Sequence, residues 1–235
     1  MKKGSPTPLV SCVMPTYNRR SFVPQAIKYF LRQEYKAKEL IVVDDGDDAV
    51  GDLIPNDERI TYLRLKRRAS LGAKRNLGCE YARGEIIANW DDDDWQAPHR
   101  LTYQVEALQR ERADLCGIND LLYYDILTAD AWRYVYPPER KLWLIGSSLC
   151  YTRICWSVQR FPDITFCEDL LFVWNDLPKR MIALPDSEFL VGIIHHHNTS
   201  TKEKQGPHWH THPVTHIQRL MGEDWKFYQS RPTHF

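Results

Sequence analysis

Four consecutive carboxylates, Asp91-Asp92-Asp93-Asp94, stand between Trp90 and Trp95, directly after the apolar run Ile86-Ile87-Ala88. Adjacent acids repel one another and cannot enter a core unpaired. At the carboxyl end of a strand they make chemical sense, because a hard divalent cation and an anionic ligand can share them. A solvated acidic turn is the plain alternative. The abutting strand and tryptophans favour a metal-assisted site for a phosphorylated ligand. Two other strand-like runs end in comparable chemistry: Leu9 to Met14 is closed by Pro15-Thr16-Tyr17-Asn18, and Glu39 to Val43 by Asp44-Asp45-Gly46. Tyr17 offers a flat face to a base, and Asp44 or Asp45 offers acceptors to a base or ribose. Lys74, Arg75 and Asn76, on one helix after Gly72, can meet phosphate or ribose or form an ordinary solvated face.

The elements that must position these residues alternate. Strands are expected at Leu9 to Met14, Glu39 to Val43, Arg59 to Leu65 and Ile86 to Trp90, with helices at Ser21 to Gln33, Ser70 to Arg83 and Pro98 to Arg112. Pro24 fits the first turn of the first helix, with Asn18 or Ser21 a possible N-cap, and Gly84 fits a stop. Strand–helix alternation implies right-handed βαβ units, whose ligands sit outside the carboxyl ends of the strands. The three polar strand ends then meet at one crevice. Of 235 residues, 43% are hydrophobic and 26% charged, as in an ordinary globular protein. Lys plus Arg equals Asp plus Glu at 31 each, which gives no hint of a nucleic-acid polymer as partner. No apolar run is long enough to be a transmembrane segment. Six scattered cysteines without a CxxC pair read as free thiols, and the expected location is cytoplasmic.

The ordered set Pro15-Thr16-Tyr17-Asn18-Arg19, Val43-Asp44-Asp45-Gly46, Gly72-Ala73-Lys74-Arg75-Asn76-Leu77-Gly78 and Asp91-Asp92-Asp93-Asp94 resembles glycosyltransferase family 2. Phe166-Cys167-Glu168-Asp169 resembles that family's Glu-Asp motif, and His195-His196-His197-Asn198-Thr199-Ser200 its C-terminal element. The resemblance implies a single α/β domain of GT-A type, with a Rossmann-like mixed, mostly parallel sheet flanked by helices. It implies an inverting glycosyltransferase moving a sugar from a nucleotide-diphosphate sugar, a UDP-sugar in first place, to a hydroxyl of a glycan or other acceptor. It also implies a divalent cofactor, Mn²⁺ or Mg²⁺. Donor binding then falls to Pro15, Thr16, Tyr17, Asn18, Asp44, Asp45, Lys74, Arg75, Asn76, Asp91 and Asp92. Asp93 and His195 are the implied metal ligands, Asp91 lying near the ribose, with the register in the acidic run open by one residue. Asp169, beside Glu168, is the implied general base; a helix N-terminus favoured by two acids is the alternative. Asp93→Ala is expected to abolish metal-dependent donor binding with little loss of folding.

The chain divides into an N-terminal tail (1–8), one domain (9–200) and a C-terminal tail or lid (201–235), where Lys202, Lys204 and Gly206 can close over phosphates. Residues 9–115 form the nucleotide-binding half and 116–200 the acceptor half. In the latter, Leu121 to Asp125 and Ala131 to Tyr136 read as strands about a turn. Gly146-Ser147-Ser148 resembles the segment beneath the family's acceptor pocket. Trp132, Tyr134, Tyr136, Trp143 and Trp156 read mostly as core, and Trp95 as packing. His208, His210, His212 and His216 read as exposed or loop-packing residues that can bind Zn²⁺ or Ni²⁺ adventitiously. Two further classes fit parts of the pattern. A nucleotidyltransferase would need a phosphate loop where Pro15-Thr16-Tyr17-Asn18 stands, and a non-catalytic metal- or carbohydrate-binding module leaves the three strand ends unexplained.

Overall fold

Val10–Thr16 (β1), Lys38–Asp44 (β2) and Ile86–Asn89 (β4) are strands because their apolar runs alternate between two buried faces, and Ile60–Arg64 (β3) is the half-buried edge strand beside β2. Val10, Cys12 and Met14 enter one core cluster while Val13 enters the other; Leu40 and Val42 divide from Ile41 and Val43 in the same way. A sheet buried on both faces needs helices on both, as parallel strands require. Val23–Leu31 (α1) covers the first face with Val23, Ala26, Ile27 and Phe30, and Leu71–Tyr81 (α2) covers the second with Cys79. Each fully buried aliphatic or aromatic side chain contributes about 1.5–3 kcal/mol. The α1 helix has Phe22 at its N-cap, no side-chain cap bond and Pro in the first turn, so neither Asn18 nor Ser21 caps it. Ser70 caps α2, its hydroxyl accepting from the Ala73 N–H at 3.0 Å.

The computed structural model describes residues 7–229, so positions 1–6 of the expected N-terminal tail and 230–235 of the C-terminal segment lie outside it. Beyond β4 follow Trp95–Gln96 (β5), Arg100–Glu111 (α3), Leu115–Gly117 (β6), Asp120–Asp125 (β7), Asp130–Val135 (β8), Cys150–Thr152 (β9), Arg153–Val158 (α4) and Glu168–Trp174 (α5). Met181–Ala183 (β10), Leu190–Ile194 (β11), Trp209–His212 (β12), Val214–Met221 (α6) and Trp225–Gln229 (α7) complete the order. Among the described residues a seven-stranded sheet runs β10-β6-β9-β4-β1-β2-β3, and a five-stranded sheet runs β12-β8-β7-β11-β5. The larger sheet is parallel except where β9 lies antiparallel to β4 and β6. Among the described residues no helix is long and apolar enough to cross a membrane.

The smaller sheet explains how distant residues reach one site. Strand β5 follows the acidic run and pairs antiparallel with β11, Val191 opposite Trp95 and Leu190 opposite Gln96. That register brings the end of the acidic run to the start of the histidine segment. The segment expected as a tail is instead largely built in. Ile217, Met221, Trp225 and Tyr228 are buried, and Asp224 accepts from Trp95 Nε1 at 2.9 Å and pairs with Arg32. Trp95 packs, as its position between charge and core implies. Lys204 is tied to Asp125, whereas Lys202 lines the cleft described below.

Candidate active site

The carboxyl ends of β1 and β4 open on one cleft of two confluent lobes, with cavity volumes of about 580 and 390 Å³. The lobes share Pro15, Arg19, Leu71, Asp92, Thr165, Phe166, Asn198 and Thr199. Tyr17, Asn18, Lys74 and Thr16 line the first lobe. Arg75, Asp91, Asp93, Gly146, Glu168 and Asp169 line the second. Of the three strand ends, those of β1 and β4 line the cleft; Asp44 and Asp45 at the end of β2 do not, and Asp45 meets it only through Lys74.

In the first lobe Asn18 turns the chain at φ 53, in the left-handed region that Asn tolerates best after Gly. Its Oδ1 accepts from the Asp48 N–H at 3.1 Å. The Tyr17 ring is covered by the Arg68 guanidinium, whose carbon lies 3.7 Å from the ring centroid. Asp44 is fully buried and accepts from the Gly46 N–H (2.8 Å), the Val50 N–H (3.0 Å) and Tyr62 Oη (2.7 Å), so its acceptors shape the β2 turn. Asp45 accepts from Lys74 Nζ at 2.6 Å and from the Ala69 N–H at 2.8 Å. Lys74 Nζ also donates to the Thr16 carbonyl at 3.0 Å, so it locks α2 to two strand ends. Asn76 corrects an expectation. It is held by Phe161, through its carbonyl at 2.8 Å and its N–H at 3.0 Å, and by Trp156 Nε1 at 3.0 Å, outside the cleft lining.

The acidic run resolves into four separate environments. Asp91 takes Arg75 Nη2 at 3.1 Å. Asp92 is 8% exposed, lines both lobes, and has a buried Oδ2 without a hydrogen-bond partner among the described residues; burial pushes its pKa up. Asp93 Oδ2 takes Arg19 Nη1 at 2.7 Å and lies 3.0 Å from His195 Nε2. Burial works against its charge, but Arg19 and His195 together hold it well below the usual carboxylate range. Asp94 turns back to accept the Ile193 N–H at 3.1 Å, and burial raises it.

Arg75 links the donor side to the Glu-Asp pair. Beside Asp91 it meets Glu168 Oε1 at 3.3 Å, and its Nη1 is buried without a partner among the described residues. Glu168 and Asp169 open α5 behind Cys167, a non-glycine residue at φ 63. Burial raises both carboxyls, with Arg75 opposing. Asp169 lies directly over Gly146: a Cβ built there would sit 2.3 Å from Asp169 Oδ2. Only glycine leaves the room. Gly146→Ala is therefore expected to move Asp169 and cut turnover while donor affinity holds, which steady-state kinetics and nucleotide calorimetry can separate.

His195 is 4% exposed; its N–H donates to Asn198 Oδ1 at 2.7 Å, and burial lowers its pKa. His196 and His197 are exposed. In the second group, His212 Nε2 meets His216 Nδ1 at 2.7 Å and His216 Nε2 meets Glu188 at 3.2 Å, beside a separate cavity. Among the described residues no group of three or more His, Cys, Asp and Glu is arranged to hold a metal ion. Two donors nevertheless converge: Arg19 Nη1 lies 2.7 Å from Asp93 Oδ2 and 2.8 Å from His195 Nε2. One cationic atom thus already sits between a carboxylate and an imidazole. A divalent ion that keeps substrate phosphates as further ligands fits that donor set. Arg19, Phe166 and Gly146 stand within family-like motifs but carry no role of their own there, and Arg68 is not singled out by the sequence, because their contacts depend on partners distant along the chain.

The family model for Glycosyl transferase family 2 matches residues 11–164. An uncharacterized glycosyltransferase, EpsJ, of Bacillus subtilis is 28% identical over 201 residues, covering 77% of this chain and 57% of that protein. Across six curated relatives the chain spans 36% to 57% of their lengths. The mannosyltransferase PcManGT from Pyrobaculum calidifontis, in complex with GDP-Man and Mn²⁺, superposes with a TM-score of 0.63 at 19% identity, over 80% of this chain and 56% of that one. TarS 1–349 from S. aureus, in complex with UDP, gives 0.62 at 17%, over 79% and 60%. At such identities the structural likeness is one of fold, and the fold is of GT-A type. With the family match spanning β1 through the acidic run to the loop before α5, this chain belongs to glycosyl transferase family 2.

Proposed function

We propose that this protein is an inverting glycosyltransferase that moves a sugar from a UDP-sugar to an acceptor hydroxyl, with a divalent metal and Asp169 as general base. The observation that carries this reading is the cleft in which the Asp91–Asp93 carboxylates and the half-buried Asp169 share one lobe. The nucleotide occupies the first lobe, its base on Tyr17 once Arg68 lifts off, and the acceptor enters the second beside Asp169. Asp169 takes the proton of the acceptor hydroxyl as its oxygen attacks the anomeric carbon, and the bond to the diphosphate breaks on the opposite face. Asp93 and His195 would hold the metal, which supplies charge neutralisation for the departing diphosphate. Arg75 fixes Asp91 and Glu168 in relation to each other, and so sets the donor against the base. Residues 9–115 then serve as the nucleotide half and 116–200 as the acceptor half. All six cysteines are free, which suits a reducing, cytoplasmic setting.

UDP is the nucleotide of the S. aureus TarS complex, and GDP-Man with Mn²⁺ that of the Pyrobaculum enzyme. The test is transfer from a panel of UDP-sugars, scored for UDP release and product configuration. Retained configuration at the anomeric carbon would overturn the mechanism. Base–aromatic stacking contributes about 1–3 kcal/mol, so Tyr17→Ala is expected to weaken UDP binding by roughly 5- to 150-fold. Calorimetry reads this directly, and unchanged affinity would move the base off Tyr17.

A further inference from the structure

We infer that Arg19 is an internal cation occupying the metal position, so that divalent metal enters only together with the donor. The inference rests on the proposed assignment of Asp93 and His195 as metal ligands. Arg19 is 8% exposed, and Nη1 bonds Asp93 Oδ2 at 2.7 Å while lying 2.8 Å from His195 Nε2. Its Nη2 donates to the His197 carbonyl. The two donor atoms are themselves 3.0 Å apart, within reach of one ion. A divalent cation and the guanidinium nitrogen therefore compete for one place. The acids do not need metal to be compensated, because the chain supplies its own positive charge.

The occupant is imperfectly satisfied, which makes it replaceable. The His197 N–H donates to His195 Nδ1 at 3.2 Å. In that tautomer Nε2 bears the ring proton and donates to Asp93, leaving Arg19 Nη1 as donor against donor at 2.8 Å. In the other tautomer Nε2 accepts from Arg19, and the Nδ1–H opposes the His197 N–H. No neutral form satisfies every contact. A metal-bound His195 carries its proton on Nδ1, so the peptide that bears the His197 N–H must turn, and the next peptide bears the His197 carbonyl that Arg19 holds. Release of Arg19 and rearrangement at His197 thus fall on adjacent peptides of one segment, whose residues 196 and 197 are exposed.

What makes the exchange favourable is the donor. Expelling a buried guanidinium from its carboxylate without a new partner is costly. Arg19 lines both lobes, so once freed it faces the place of the diphosphate. Metal and diphosphate together give every charge a partner, whereas metal alone does not. This is reciprocal coupling between two ligands of one site.

The experiment is Mn²⁺ titration followed by the EPR signal of free Mn²⁺, with and without UDP, on wild type, Arg19→Met and Arg19→Gln. Arg19→Met keeps the aliphatic stem, and Arg19→Gln, still able to donate to Asp93, serves where Arg19→Met does not fold. Without UDP the variants are expected to bind Mn²⁺ at least about tenfold more tightly than wild type, one decade of coupling in the ordinary range. Adding Asp93→Asn to either variant is expected to abolish that gain. Mn²⁺ is expected to raise the melting temperature of the variants and leave that of wild type unchanged. Equal Mn²⁺ affinity in wild type and variants without UDP would overturn the role of Arg19 and leave the metal assignment standing. Absence of Mn²⁺ binding in every protein, with UDP present, would overturn the metal assignment and the inference with it.

Discussion

Asp169→Asn is expected to lower kcat by about 100- to 10,000-fold, the usual contribution of a positioned general base, and to leave UDP affinity unchanged. Asparagine keeps the shape over Gly146, and its side-chain oxygen can still accept the Leu170 N–H that Asp169 takes at 2.8 Å. Only the capacity to accept a proton is removed. The pH profile adds a second readout. Burial holds the Asp169 carboxyl above its ordinary value, with Arg75 opposing. A base works deprotonated, so turnover should fall on acidification through a pKa above about 3.9, the unperturbed value. The Asn variant should lack that acid limb. Kinetics at saturating donor across pH, beside UDP calorimetry, check both points. Full turnover by Asp169→Asn would remove this residue from the mechanism while leaving the fold and donor cleft intact.

Asp93→Asn should lose Mn²⁺-dependent UDP binding and, unlike a change at a surface acid, should destabilise the fold by about 3–5 kcal/mol, the cost of breaking a buried ion pair. The side chains of Arg19 and Asp93 are 9% and 14% exposed, so removing one charge strands the other away from water. The sequence alone implies little loss of folding for a change at this position. The buried arginine reverses that expectation. Arg19→Met combined with Asp93→Asn should recover most of the lost stability and none of the UDP binding. Urea unfolding of the single and double variants measures the first effect, and calorimetry the second. A single variant as stable as wild type would mean that Arg19 finds water or another acceptor.

The parts of the fold legible in the sequence are those whose physics is local. β1, β2 and β4 are apolar runs buried on both faces, and they end at Thr16, at Asp44 and just before the acidic run, where polar residues take over. The hairpin of β7 and β8 was equally readable. The short strands β5, β6, β9, β10 and β12 were not, because two to four residues carry no periodicity. The segment 209–229 did carry a signal: Ile217, Met221, Trp225 and Tyr228 recur at helical spacing, but the surrounding histidines gave it the look of a polar tail. Within the site, residue type predicted which side chains line the cleft better than what they bond. Lys74 lines the cleft but has spent its hydrogen bonds on the strand ends, Asp44 and Asp45 lie outside the lining, and Asn76 faces a different loop. Arg19 could not be singled out, since its partners lie 74 and 176 residues away.

The central claim is a donor site completed by metal, and its most direct test is calorimetric titration of UDP into metal-stripped protein with and without Mn²⁺. Saturable binding is expected with Mn²⁺, and little or none without it. Binding indifferent to Mn²⁺, or no binding of UDP, GDP or dTDP under either condition, would contradict that claim.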